Sequence, residues 1–76
     1  MNRIVPSDIS MTLAGFGQCD HALAREIARK CNEIAVRRNV AEWELSAEGA
    51  GMAKALYFDG WDAAGREVSH AKVWSL

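Results

Sequence analysis

The sequence predicts an α+β fold: one central helix packed on a mainly antiparallel sheet of three to four strands, in the order β-α-β-β-β. Three observations predict it. Residues 20–38 carry apolar side chains at helical spacing, residues 40–47 switch to two-residue alternation, and glycine-bearing turns punctuate the rest of the chain. With 76 residues there is room for a single domain, residues 1–76.

The helix is read from Asp20 to Arg38. Asp20 is a good N-cap because its carboxylate accepts from the first unpaired N–H groups. Leu23, Ala24, Ile27, Ala28, Cys31, Ile34 and Ala35 form one apolar stripe, and the other face carries Arg25, Glu26, Arg29, Lys30, Asn32, Glu33 and Arg37. Glu26–Lys30 and Glu33–Arg37 have the spacing of intrahelical ion pairs. Arg37 and Arg38 suit the negative end of the helix dipole, and Asn39 can take the left-handed conformation that ends the helix.

Beyond the helix, Ala41, Trp43, Leu45 and Ala47 alternate with Glu42, Glu44 and Ser46, as in a half-buried strand. Residues 48–51 read as a turn, Met52 to Trp61 as a second strand and Arg66 to Leu76 as a third. Asp62-Ala63-Ala64-Gly65 joins the last two as a type I turn closed by glycine. Pairing Trp43 with Leu56, Phe58 with Ser69 and Leu56 with Ala71 puts Trp43, Leu45, Leu56, Phe58, Ala71 and Val73 on a buried face, with Lys54 at its end. Upstream, Ile9, Met11 and Leu13 alternate with Ser10, Thr12 and Ala14, which favours a first strand. The competing reading is a short helix capped by Ser7-Asp8.

Half the residues are hydrophobic, a quarter are charged and the formal net charge is −1. Those proportions exclude disorder and give no general attraction to nucleic acid or to anionic membranes. No apolar run nears the ~20 residues that span a bilayer, and the first twenty residues lack the pattern of a secretory signal. A cytoplasmic protein of bacterial or phage origin is therefore expected, with two free thiols.

The candidate site is the outward sheet face. In this register Glu42, Tyr57 and His70 form one row, Glu44 and Lys72 fall in the next, and Ser46 shares the third with Trp74. Trp61 and Arg66 lie at the hairpin end. Glu42, Tyr57, Trp61, Arg66, His70, Lys72 and Trp74 have the aromatic and charged composition that binding surfaces favour. The expected function is a non-enzymatic protein-binding module, an adaptor or inhibitor of a larger complex, with no catalytic residues, no cofactor and no metal. A homodimer is compatible with the size.

Two other readings compete. A nucleic-acid-binding module would use Arg25, Arg29, Lys30, Arg37 and Arg38 on the helix. A small metal-independent ribonuclease would use Glu42 and His70 as acid and base, with Arg66 and Lys72 on the phosphate and Tyr57 for stacking. Gly15-Phe16-Gly17 has the composition of an anion-cradling loop, but the dinucleotide and P-loop fingerprints are missing. Cys19 and Cys31 are about 18 Å apart on a helix rising ~1.5 Å per residue, too far to share a zinc ion.

Overall fold

The computed structural model describes residues 3–76. Two helices precede three strands: α1 (Pro6–Ala14), α2 (His21–Arg38), β1 (Glu42–Glu48), β2 (Ala55–Trp61) and β3 (Glu67–Ser75), with a single 3-10 turn at Gly51–Ala53. The strands form one antiparallel sheet in the order β1-β2-β3. The class is α+β, but the order is α-α-β-β-β, and there is no lone central helix: α1 packs on α2, and α2 on β3.

The expected first strand is thus a helix. Pro6 opens α1, and Asp8 at its third position accepts from the Val5 N–H at 3.0 Å. Proline suits that position because its missing N–H is not needed there. Ile9 and Leu13, four residues apart, are buried on one face, whereas Met11 is 80% exposed. A strand would have put Met11 on the same face as both, so helical spacing explains the burial and alternation does not. Asn32 of α2 ties the preceding segment down, accepting from the Ile4 N–H at 3.0 Å and donating to the Ile4 carbonyl at 2.8 Å.

α2 follows the sequence expectation closely. Asp20 caps it by accepting from the N–H groups of Ala22 and Leu23, and Asn39 ends it at φ 55°. Ala24, Ile27, Ala28, Cys31 and Ala35 are buried, with Leu23 and Ile34 packed at the margin. The ion pairs differ. Arg29 bridges Glu26 and Glu33, so neither Glu26–Lys30 nor Glu33–Arg37 forms. A guanidinium offers several donors in a fixed fork and can hold two carboxylates at once.

The sheet register differs from expectation by even steps in its middle. Trp43 stands opposite Gly60 and Leu45 opposite Phe58, because the first connection runs through the 3-10 turn and is longer than a four-residue turn. Phe58 faces Ala71. Since side-chain direction repeats every two residues, an even shift preserves the faces. Leu56 and Phe58 therefore still point into the core, where Val73 is also buried, and Trp43 and Leu45 pack against it, Trp43 lying 6.3 Å from Phe58 between ring centroids. Lys54 lies exposed before β2 and does not end the buried face. Asp62 closes the second hairpin as expected: its carbonyl accepts from the Gly65 N–H, and Gly65 has φ 81°.

Two bulges interrupt β3. Val68 is the extra residue between the Gly60–Ser69 and Trp61–Glu67 pairs, and Val73 the extra one between Leu56–Trp74 and Tyr57–Lys72. Each reverses the parity beyond it. Trp74 consequently turns to the helix side and meets Phe16 edge-on at 5.2 Å, whereas regular alternation predicts it outward. Trp61 pairs with Glu67 and not with Arg66.

Gly60 is required by close approach. A Cβ there would lie 2.7 Å from Cγ2 of the buried Val40. Gly60→Ala should destabilise the fold by about 1–3 kcal/mol, the usual cost of overpacking. In the Gly60→Ala background Val40→Ala should cost less than it does alone, because the pair share the clash. Thermal melts of the two single variants and the double variant check this, and additivity would refute the contact.

Cys19 is exposed, while Cys31 is fully buried and its thiol is pushed up to about 12 by burial. A thiol reagent should label Cys19 in the native protein and reach Cys31 only after denaturation, as mass spectrometry of the labelled chain would show.

Candidate functional site

The outward sheet face is built by residues of alternating parity: Glu42, Glu44, Ser46 and Glu48 from β1, Tyr57, Asp59 and Trp61 from β2, and Glu67, His70 and Lys72 from β3. Its polar groups gather around Asp59 of the middle strand and His70 beside it. Nδ1 donates to Asp59 Oδ1 at 2.5 Å, and Nε2 lies 3.2 Å from Glu48 Oε1. The imidazole stacks on Tyr57, with ring centroids 4.4 Å apart and planes 6° from parallel. Ser46 Oγ donates to Asp59 Oδ2 at 2.7 Å. Asp59 is thus a nearly buried carboxylate with both oxygens engaged, one by a hydroxyl and one by an imidazole.

Of the residues selected from the sequence, Tyr57 and His70 come together, and Lys72 stands opposite Tyr57 in the next row. Glu42 does not join them; it stands opposite Trp61, at the far end of the face. Arg66 is tied to the turn by Asp62, whose Oδ2 accepts from Nε at 3.0 Å. Trp74 is on the other face. The expected row of Glu42, Tyr57 and His70 therefore does not form: Glu42 lies in the row of Trp61 and Glu67.

The groups that do assemble with His70 were not among the selected residues. Asp59 could have been found, since it shares the outward parity of Tyr57 and Trp61 and is the one carboxylate between them. Glu48 needed the correct length of the first connection. Glu67 needed the bulge at Val68.

The order of bonds also limits the chemistry. The Ser46 hydroxyl donates to Asp59 and not to His70, so the histidine is not placed to take the serine proton. The glycine loop is equally occupied: the N–H groups of Gly15, Phe16, Gly17 and Gln18 donate to the carbonyls of Thr12, Leu13, Ala14 and again Leu13. They close the end of α1 and leave no cradle for an anion.

No family model, no curated protein and no solved structure matches the chain. No helix among the described residues is long and apolar enough to cross a membrane.

The hydrogen bond to Asp59 raises the His70 pKa above 6.5; desolvation opposes it, and the charges of Asp59, Glu48 and Glu67 add to it. The folded state therefore favours the imidazolium. This contribution to stability is complete below the unfolded value near 6.5 and fades as pH rises through the higher folded value. An NMR titration of the His70 ring should give a midpoint above 6.5, and Asp59→Asn should bring it down.

Proposed function

We propose that the protein is a non-enzymatic protein-binding module, an adaptor or inhibitor, whose outward sheet face docks on a basic surface of a larger partner. The observation that carries this is the composition of that face. Glu42, Glu44, Glu48 and Glu67 are exposed around the half-buried rings of Tyr57 and Trp61, and Lys72 is the one exposed lysine or arginine within the strands. Partly desolvated aromatic rings surrounded by charge are the usual anchors of protein interfaces. Carboxylates in this number repel phosphate backbones and attract lysine and arginine, which favours a protein partner over nucleic acid.

Nuclease-treated bacterial lysate passed over the immobilised protein tests the reading. Capture of a basic partner should survive nuclease and weaken with added salt, as screened charges require. Trp61→Ala should sharply reduce capture while changing stability by no more than roughly 1 kcal/mol, as a surface change does. Capture lost on nuclease treatment, or unaffected by Trp61→Ala, would contradict the assignment.

A further inference from the structure

The geometry points to a mononuclear site for a divalent transition-metal ion formed by Asp59, Glu67 and His70. One ligand atom from each lies within 4.8 Å of the other two. Metal–oxygen and metal–nitrogen bonds of ~2.0–2.2 Å put ligand atoms about 3–4 Å apart, so small side-chain rotations bring all three onto one ion. The inference goes beyond the docking reading and does not rest on it.

Several independent features prepare these side chains for the task. The bulge at Val68 is the first. Glu67 and His70 are three residues apart and would fall on opposite faces of a regular strand; the extra residue turns both outward. Asp59 is the second. It is nearly buried, and the Ser46 hydroxyl on Oδ2 fixes the carboxylate with Oδ1 turned to His70 Nδ1. The third is the imidazole, whose plane is set by Tyr57 and whose Nε2 faces Glu48 at 3.2 Å. An ion replacing the proton between Nδ1 and Asp59 Oδ1 leaves Nε2–H to donate to Glu48. Metal-bound histidines are commonly oriented by a carboxylate on the far nitrogen in this way.

Charge and ligand type select the ion. Two carboxylates and a neutral imidazole supply two negative charges, which a divalent cation neutralises. The nitrogen ligand favours zinc and its transition-metal neighbours over magnesium and calcium, which prefer oxygen. Three protein ligands leave a position for water or for a donor from another molecule.

Zinc chloride titrated calorimetrically into metal-free protein, with the histidine ring resonances followed by NMR, tests the site. One ion should bind per chain, moving the His70 resonances and leaving those of His21 in place. Glu67→Gln should weaken binding by about tenfold or more, and His70→Gln at least as much, in line with losses seen on altering metal-site residues. Glu44 stands opposite Asp59 on the same face, outside the ligand set, and Glu44→Gln should leave the affinity within about twofold. Far-ultraviolet circular dichroism of each variant confirms that it is folded. Failure to saturate, movement of His21 in place of His70, equal losses in Glu67→Gln and Glu44→Gln, or equal competition by magnesium would each overturn the assignment. Because partner capture is measured separately, its outcome is independent of the titration.

Discussion

The contact between the apolar stripe of α2 and the inner face of the sheet governs the rest of the structure. Ile27 and Cys31 on the helix, and Leu56 and Phe58 on β2, have almost no exposed surface, and α1 adds Ile9 and Leu13 to the same cluster. The two helices cover one face of the three-stranded sheet. Among the described residues, no element lies over the second face. The outward face therefore carries mostly exposed polar side chains at its margins, with the burial confined to Asp59 and the half-buried rings beside it.

What was legible in the sequence follows from how strongly each signal was tied to a period. The α2 stripe extends over several turns between a capping Asp20 and a left-handed Asn39, so its boundaries, cap and buried face could be read directly. The segment at residues 6–14 is too short for that. Over nine residues, Ile9, Met11 and Leu13 fit a strand, while Ile9 and Leu13 alone fit a helix. The difference lies in Met11, whose exposure no local pattern announces. Pro6 and Asp8 carry the helical signal, against the alternation of Ile9, Met11 and Leu13.

The sheet shows how a register can be wrong and its faces right. Inserting the 3-10 turn moved the β1–β2 pairing by an even number, so Trp43, Leu45, Leu56 and Phe58 kept their side. Glu42, however, lost its place beside His70, since rows depend on the pairing itself and not only on parity. The bulges acted differently. Each moved the parity at one end of β3, turning Trp74 inward against Phe16 and Glu67 outward toward His70. An extra residue in a strand leaves no compositional trace when it is itself apolar, as Val68 and Val73 are.

The same reasoning explains why the polar cluster sits where it does. Asp59 lies in the middle strand, flanked by neighbours on both sides, so its carboxylate is largely withdrawn from water and must be satisfied by protein groups. Ser46 reaches it from β1 and His70 from β3, one from each flanking strand. A carboxylate so held is fixed in direction, and it fixes in turn the imidazole that stacks on Tyr57. Here the ordered geometry forms around a group that burial compels to find partners. The middle strand supplies that burial, and the two edge strands supply the partners.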